Sequence, residues 1–533
     1  MPIVALDNVG FIGIVDDLPS HQAPLGAWTS GQNVRFHQGG VENFRGHSQV
    51  FGTPSIAPNW LLPHIVGANF FWLYAGPTKV YVTEGTSHFN ITRQTAFVDV
   101  DYTGNLDLNW NGGVLTGIPI LNNGVDEPQM WNPPETSQKL QALSNWPANT
   151  VAKVIRPFLN FLVALNVTKS GDTFPYMVKW SHPAVPGTVP PSWDEADPTN
   201  LAGERDLADT PGEIVDGVAL RNALVIYKEN SIWLMQHIGG NSVFSTRPVF
   251  REVGLMTSDC ATAYGDGTRH FAVSGDDIYV HDGQNSPQSI ITRKVAGHIF
   301  NSINSTNIAR SYVVANYPKH EVWFCYPEQG EDTPNMAAVW NWDDNSWGFR
   351  TIPPCRFMAK GVVDPNIIDR TWDAQNTIWD DFNTAWDTKN FNPALRRVLM
   401  ADGTNTKLFL ADDTNQFDGV NISTFVERVG LPIVGQDRTG APIVDTDAYK
   451  QLTAIYPRFE ATTGTQVTIR SAMQDTPGGA VRYSAPQTFT IGVDYKFDVF
   501  DSGRLLGLRV ESAANIHWKL TGYSLEIQKI GSF

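Results

Sequence analysis

The chain contains few cysteines and no long apolar run, and each shortage argues against a class of protein. Only 3 of the 533 residues are cysteine, and Cys260, Cys325 and Cys355 lack any metal-ligand spacing, so we expect them to be small buried apolar residues. The N-terminus has no basic segment ahead of an apolar one, and no run approaches the roughly 18 apolar residues of a membrane-spanning helix. We therefore expect a chain that is made and kept in a cytoplasm and has no membrane-spanning segment.

Positive charge is also scarce. Charged residues make up 17% of the chain, the formal net charge is −16 and the sequence pI is about 5.1. We find no Lys/Arg cluster of the kind that binds phosphate groups. This balance argues against tight, specific binding of DNA or RNA.

The short motifs that mark common enzymes and metal sites are missing as well. The sequence has no HExxH, no Walker P-loop, no G-x-S-x-G and no paired-cysteine site. The nearest histidines, such as His270 and His281, fall in separate strands of one predicted hairpin, where a surface position is the commoner outcome. We therefore predict no enzyme, no catalytic residue, no cofactor and no metal.

Two acidic patterns imitate functional sites. Residues 412–419, DDTNQFDG, offer enough close oxygen ligands to consider calcium, but they lack the full Asp-x-Asp-x-Asp-Gly loop with a later Glu. The pairs Asp343-Asp344 and Asp380-Asp381 resemble the two carboxylates of a glycosidase, although sequence cannot show whether they face each other. We interpret all of them as solvated turns.

Aromatic and turn-forming residues are abundant, with 17 Trp, 45 Gly and 34 Pro. Residues 217–289 show one unit twice: an apolar run, a polar turn and a second apolar run that carries an aromatic residue, first Trp233 and then Tyr279. Each run is too short for a helix and is rich in β-branched and aromatic residues, which favours strands. The stretch therefore predicts two β-hairpins.

The same hairpin recurs seven times from about residue 60 onward. The aromatic positions lie 46 to 69 residues apart, at Tyr81, Trp131, Trp180, Trp233, Tyr279, Trp340 and Phe409. A period of about 50 residues built from strands is typical of β-propeller blades, because one small sheet must pack against neighbours to bury its faces. The pattern predicts a mainly β chain with a propeller over residues 56–420; a stacked β-sandwich array is the alternative.

The longest interval contains an insertion at residues 366–392. Trp372, Trp379 and Trp386 recur every seven residues, each followed by Asp, but the heptads lack the second apolar position of a coiled coil. The three Trp side chains either cover the edge of a blade or form a contact surface for a partner. Deleting residues 371–388 distinguishes the two, because only a contact surface can be lost without loss of folding.

Two further elements complete the prediction. Val295, Ile299 and Ile303 lie four apart and indicate a helix over residues 293–305. Six alternating strands in residues 447–533 fit a β-sandwich-like domain. We therefore divide the chain into an N-terminal arm (1–55), the propeller (56–420) and a C-terminal sandwich-like docking domain (421–533), with few helices.

Three stretches resemble one family. Near the start are Leu18-Pro19, Gly26-Ala27-Trp28, residues 33–36 and Gly39-Gly40; in the middle is SYVVANYPKHEVWFCYP; at the end is SGRLLGLRVESAANIHWKLTGYSLEIQKIG. These are similar to the tail nozzle proteins, also called DNA-stabilisation or tail tubular proteins, of short-tailed double-stranded DNA bacteriophages (podoviruses). The likeness touches the beginning, middle and end of the chain.

The resemblance implies a structural virion protein that is assembled in the bacterial cytoplasm. It implies a six-bladed propeller and a homohexameric ring at the distal end of the tail, docked on an adaptor ring near tail fibres, spikes or a closing plug. Packaged DNA is held behind the ring and leaves through its channel without specific binding, which suits an acidic chain. The candidate interaction residues are Leu18, Trp28, Phe36, Trp372, Trp379, Trp386 and Arg504.

Two other classes of function remain open. A propeller in a tail protein can also bind host glycans, or degrade them. The sequence shows no recognisable pair of acid and base residues, which argues against degradation. Successive hairpins carry no equivalent residues for binding sugars, which argues against glycan binding.

Overall fold

Seven antiparallel sheets, which we call blades 1 to 7, form the larger part of the molecule. The computed structural model describes residues 3–67, 69–240, 242–363 and 396–532. The blades, each given by its strands in pairing order, are blade 1, Trp60–Val66, Asn69–Ala75, Val80–Glu84, Ser87–Asn90; blade 2, Asn111–Leu115, Ile118–Asn122, Gln129–Met130, Gln141–Ala142; blade 3, Thr150–Phe158, Phe161–Lys169, Asp172–Trp180, Gly203–Asp206; blade 4, Ile214–Leu220, Ala223–Lys228, Ile232–His237, Phe244–Phe250; blade 5, Ala261–Tyr264, Arg269–Val273, Ile278–His281, Gln288–Ser289; blade 6, Tyr312–Asn316, Glu321–Tyr326, Met336–Asn341, Ser346–Thr351; and blade 7, Phe357–Val362, Arg396–Asp402, Lys407–Ala411, His47–Gln49.

The blades close into a ring. Adjacent blades share hydrophobic clusters, and Trp72 of blade 1 donates its indole N–H to the carbonyl of Val362 in blade 7 (2.9 Å). The first strands of neighbouring blades contact one another and so surround the axis. The β-propeller prediction is therefore confirmed.

The number of blades differs from the six that the resemblance implies. Each of the seven predicted hairpins supplies the second and third strands of one blade, and the aromatic residue lies in the third strand or, for Trp131, just after it. Most of these aromatic rings are buried, since they fill the space between blades. The count of seven hairpins was correct, and the expectation of six blades was wrong.

Blade 7 takes its fourth strand from the other end of the chain. His47–Gln49 pairs antiparallel with Lys407–Ala411, and two short strands, Gln416–Phe417 and Val420–Asn421, extend the same sheet. The imidazole of His47 lies between the rings of Phe409 and Phe417, at 4.6 and 4.8 Å. The N-terminal segment therefore closes the propeller.

Two six-stranded sheets form the C-terminal β-sandwich and share one hydrophobic cluster. All six strands predicted in residues 447–533 are present together with a seventh, Arg482–Tyr483, and five further strands come from residues 3–43 and 424–431. The first sheet contains Ile3–Asp7, Val34–His37, Gly40–Asn43, Lys519–Ser532, Ala448–Glu460 and Phe497–Gly503; the second contains Ser30–Gln32, Thr424–Leu431, Leu505–Ser512, Gln466–Gln474, Arg482–Tyr483 and Gln487–Thr490. Instead of a separate arm, the first fifty residues contribute strands to both the sandwich and the propeller.

The remaining elements are small. The α-helix Ala296–Ser302 is shorter than predicted, but Val295, Ile299 and Ile303 are buried as expected. Two 3-10 turns, Ile308–Arg310 and Tyr317–Lys319, flank the first strand of blade 6, and two hairpins, Gln94–Thr95 with Val98–Asp99 and Ile433–Gln436 with Pro442–Val444, stand outside the larger sheets. Among the described residues, no helix is long and apolar enough to cross a membrane.

Candidate functional site

A cluster of charged side chains lies where the first strands of blades 3, 4 and 5 meet. Arg156 of blade 3 donates from Nε and Nη2 to the two carboxylate oxygens of Asp216 in blade 4, both at 2.8 Å. Its Nη2 also donates to Asp259, just before blade 5, at 3.0 Å. Asp216 further accepts the backbone N–H groups of Gly217 (2.6 Å) and Asp259 (2.9 Å). The buried Asp216 is thus fully committed to structural hydrogen bonds.

Asp259 has a raised pKa. Burial raises its pKa to about 6; the Arg156 guanidinium opposes this rise, and the Asp216 carboxylate adds to it. The residue holds a left-handed backbone conformation, with φ of 62°, and lines a cavity of about 250 Å³ together with Arg156 and Asp216. A carboxyl group in this state can exchange a proton near neutral pH, which is what a general acid or base requires.

A second feature of the axis is a loop, residues 103–109, which we call the strap. It leaves the Val98–Asp99 hairpin and enters blade 2, where Trp110 donates its indole N–H to the carbonyl of Gly76 (2.9 Å) and its ring meets Tyr102 edge-on, with centroids 5.1 Å apart. The strap is therefore fixed firmly at its blade 2 end.

The far side of the strap contacts blades 6 and 7. Asp107 accepts hydrogen bonds from Arg310, ahead of blade 6, at 2.6 and 2.7 Å. The carbonyl of Leu106 accepts from Arg356, ahead of blade 7, at 3.1 Å, and the side-chain amide of Asn109 donates to the carbonyl of Ala309, ahead of blade 6, at 3.2 Å. Because blades 2 and 6 are not neighbours in the ring, the strap crosses one end of the propeller axis.

A buried ionic network joins the propeller to the sandwich. Arg35 contacts Glu321 (Nε to Oε1, 2.9 Å) and Asp412 (Nη2 to Oδ2, 2.7 Å), while Arg350 contacts Asp412 (Nη1 to Oδ1, 2.9 Å). Both guanidinium groups lie over the Phe44 ring, at 4.4 and 5.0 Å. Burial by itself would raise the pKa of Asp412, but the two arginines more than offset it and lower that pKa to about 2. Two cations and two anions are thus balanced away from water.

Of the sequence-predicted interaction residues, the four that the structure describes have no contact with the axis cluster. Trp28 and Phe36 are buried within the chain, and Trp28 donates its indole N–H to the carbonyl of Val9 at 2.7 Å, so neither offers a contact surface in this fold. Leu18 is half-buried on a small apolar cluster. Arg504 is half-buried at the sandwich corner. Trp372, Trp379 and Trp386 lie outside the described residues.

The acidic stretch considered for calcium is neutralised by basic side chains. Besides Asp412, Asp413 pairs with Arg397 (3.2 Å) and Asp418 pairs with Lys407. Throughout the described part of the chain, no group of three or more His, Cys, Asp or Glu side chains is placed to hold a metal ion. Asp412 thus joins the propeller to the sandwich, whereas Asp413 and Asp418 form ion pairs with strands of blade 7.

The histidine pair was predicted on the surface, and that prediction was wrong. His270 and His281 lie opposite each other in blade 5, and both are buried against Tyr227 of blade 4. The hydroxyl of Tyr227 bonds both imidazoles at 2.8 Å. One face of blade 5 packs on blade 4. A prediction made from one hairpin alone does not take this contact between blades into account.

Sequence reasoning missed Asp216, Asp259 and Arg156. Each is an isolated polar residue beside an apolar strand, and they lie 43 to 103 positions apart in the chain. No local motif joins them. Their convergence depends on the order of blades around the axis.

Comparisons with known proteins concern the fold. No protein-family model matches the chain, and no curated protein matches its sequence. Among solved structures, the chain is similar to a protein from Bacteroides fragilis assigned provisionally as a 6-phosphogluconolactonase, with 8% identity and a TM-score of 0.35 over 75% of this chain and 93% of that one. It is also similar to the WD40 β-propeller domain of Doa1, with 9% identity and a TM-score of 0.31 over 69% and 94% of the two chains.

Proposed function

We propose that this chain is a structural subunit of the tail nozzle of a short-tailed bacteriophage, where it retains packaged DNA and forms the distal channel for ejection. The observation that carries the proposal is that the three stretches with family resemblance meet at one place in the fold. Arg35 belongs to the first stretch and pairs with Glu321 of the middle one. Val41, one residue beyond the glycine turn of the first, pairs with Leu520 of the last.

This meeting point is the junction between the propeller and the sandwich. Asn43 accepts the backbone N–H of Trp518 on its side-chain oxygen at 2.9 Å, and Asn43 donates its own backbone N–H to the Trp518 carbonyl at 3.3 Å. Residues at a buried junction are constrained by packing and by paired charges. Because the stretches that resemble the nozzle family meet at this junction, the resemblance supports the view that this chain and that family share a propeller joined to a sandwich.

The propeller axis does not suit the passage of DNA. The strap crosses one end of it, and side chains of blades 3 to 5 meet near it. A DNA duplex, whose major groove alone is about 12 Å wide, would have to displace these groups to pass along the axis of one propeller. In this proposal several copies therefore enclose the channel, as in a ring whose head-to-tail contacts close on themselves. Six copies is the number that the resemblance implies.

Charge and surface chemistry fit such a ring. The net charge of −16 favours repulsion between the channel wall and phosphate, so DNA slides without sticking. Contacts to neighbours, an adaptor ring and fibres, spikes or a plug would use the half-buried Leu18 and Arg504 and the three Trp residues of the insertion, which lie outside the described residues. Phe97, Tyr495 and Phe500 are large apolar side chains that the fold leaves exposed and that sequence reasoning did not single out.

Antibody labelling of particles tests the proposal. Particles from the native lysate are negatively stained and labelled with an antibody against this chain. We expect label only at the distal tip of short tails. Label on no particle, with the chain recovered as a free protein, would overturn the nozzle proposal.

One observation favours a second candidate, a glycan-degrading propeller. Asp259 has a raised pKa and lines a cavity of about 250 Å³. The purified chain is incubated with host surface polysaccharide and the release of short sugars is measured, with Asp259→Asn as the matched variant. If the natural chain released sugars and Asp259→Asn did not, the enzyme would be favoured. We expect no release from either protein, because Arg156 binds the carboxylates of both Asp216 and Asp259.

A further inference from the structure

Two arginines at the strap-covered end of the propeller axis have little negative charge to balance them. Arg356 donates to the carbonyl of Leu106 and makes no ion pair with any described residue. Burial, together with the neighbouring Arg310, lowers the pKa of Arg356 to about 10, although the carboxylates of Asp107 and Asp332 oppose this shift. Arg310 has one carboxylate partner, Asp107, which belongs to the strap.

The cavity beneath the strap is lined with hydrogen-bond donors. Ser311 is buried, and its hydroxyl has no hydrogen-bond partner although it lines the same cavity as the two arginines. Asn105 accepts the backbone N–H groups of Asp107 (2.7 Å) and Leu108 (3.0 Å) on its side-chain oxygen, so its amide N–H groups stay available. The one carboxylate in the lining outside the strap, Asp259, is bonded to Arg156. Such a set of donors suits an anion.

The contacts that hold the strap over this cavity are few and polar. The side chain of Asp107 is 64% exposed and Leu106 is 48% exposed, so the strap buries little apolar surface. The Arg310 side chain is only 13% exposed, but the water around the Asp107 carboxylate screens the ion pair and weakens it. Segments with few apolar contacts open at low free-energy cost. When the strap lifts, Arg310 loses its carboxylate and Arg356 loses its acceptor.

We propose that Arg310 and Arg356 form a carboxylate-binding site, which the strap's own Asp107 occupies within the chain and which an acidic peptide segment of a partner protein occupies by displacing the strap. Ser311 is the neighbouring donor that stays behind, because Asn105 belongs to the strap and leaves with it. Planar guanidinium groups recognise carboxylates through paired N–H groups, so an Asp or Glu side chain is the chemistry that this pair fits. The proposal stands apart from the nozzle assignment, since it concerns the free chain.

The test uses the strap sequence as the probe. A fluorescently labelled peptide of residues 102–110, YTGNLDLNW, is titrated with the full chain and followed by fluorescence anisotropy. The variant Asp107→Asn vacates the site, and we expect it to bind the peptide at least about tenfold more tightly than the natural chain, a difference of about 1.4 kcal/mol. The matched control is Asp101→Asn, which removes an exposed carboxylate that pairs with Lys79 outside the strap and should bind like the natural chain.

Further substitutions distinguish binding at the two arginines from non-specific binding of the peptide. Adding Arg356→Gln or Arg310→Gln to Asp107→Asn should abolish binding, whereas Arg356→Lys, which keeps the positive charge, should retain part of it. A peptide with Asn in place of its Asp should not bind. The proposal would be overturned if the natural peptide and the Asn peptide bound equally well. It would also be overturned if Asp107→Asn bound the natural peptide no more tightly than the natural chain does while its thermal unfolding was unchanged.

Discussion

Arg35 and Glu321 form an ion pair in which Nε and Oε1 are 2.9 Å apart and each side chain is only 1% exposed. Arg35 lies in the sandwich strand Val34–His37, and Glu321 begins the second strand of blade 6. The indole N–H of Trp323 also donates to Glu321, at 2.9 Å. Burial of both charges is costly, so this pair persists because each ion satisfies the other.

Breaking this pair from one side should destabilise the protein strongly. We expect Arg35→Met to lower the free energy of unfolding by about 3–5 kcal/mol, because it leaves the Glu321 carboxylate buried without its partner. The matched control is Arg482→Met in the exposed pair with Asp475, where the loss should stay below about 1 kcal/mol. Guanidinium chloride unfolding measures both. Equal losses in the two variants would contradict the role of burial.

Acid should weaken the contact between blades 4 and 5. Gly283 donates its N–H to Nδ1 of His281 (3.2 Å), so Nε2 of that ring carries the proton and donates to the Tyr227 hydroxyl. Tyr227 then donates to Nδ1 of His270, whose Nε2 donates to the carbonyl of Ala219 (3.0 Å). While both imidazoles are neutral, every N–H and O–H in this chain of hydrogen bonds has an acceptor.

The direction of the pH effect follows from the lowered pKa values. Burial lowers the pKa of His270 to about 4 and that of His281 to about 3. The unfolded chain therefore takes up protons near pH 6.5, before the folded one does. The contribution of these two histidines to the free energy of unfolding should be flat above pH 6.5 and fall between pH 6.5 and 4, by up to about 1.4 kcal/mol per pH unit for each group.

Unfolding measured at several pH values checks this expectation. The variant His281→Gln removes one of the protons and should make the fall less steep. The exposed His237 provides the control, and His237→Gln should leave the slope as it is in the natural chain. The same slope in all three proteins would show that the buried pair does not titrate as described.

The propeller was predictable because each blade repeats a local signal. Trp233 and Tyr279 mark third strands that follow an apolar second strand, and strand periodicity makes such hairpins visible one at a time. Closure of blade 7 by His47–Gln49 was not predictable. It pairs residues about 360 positions apart, and the three polar residues His-Ser-Gln carry no strand signal.

The axis cluster lay beyond sequence reasoning for a related reason. Arg156, Asp216 and Asp259 meet because the starts of blades 3, 4 and 5 converge, and their spacing reflects blade lengths rather than a chemical motif. The helix was recognised from three apolar residues spaced four apart, Val295, Ile299 and Ile303, which lie in or next to one element. Burial of Trp28 and Phe36 was missed because their partners come from the far end of the chain.

The closure of blade 7 depends on a close backbone approach at Gly46. A Cβ atom on this residue would lie 1.8 Å from the carbonyl oxygen of Gln416, and the Gly46 N–H donates to the carbonyl of Thr414 at 2.6 Å. We expect Gly46→Ala to push the closing strand away and to lower the free energy of unfolding by about 3 kcal/mol. Denaturant unfolding tests this against Gly275→Ala, whose Cβ would meet nothing within 4 Å. A loss no larger than that of Gly275→Ala would contradict the close approach.

The three cysteines should report opening of the folded chain. Cys260, Cys325 and Cys355 are all buried and unpaired, as the sequence predicted, and burial raises the pKa of Cys355 to about 12. The thiolate is the reactive form, so each native thiol is both inaccessible and protonated. We expect no reaction with a chromogenic disulfide at pH 8 and release of three equivalents in denaturant.

The variant Ser87→Cys, at an exposed position in the last strand of blade 1, should release one equivalent at once. Rapid release from the natural chain would show that blades 5 to 7 open readily, in conflict with the packing described.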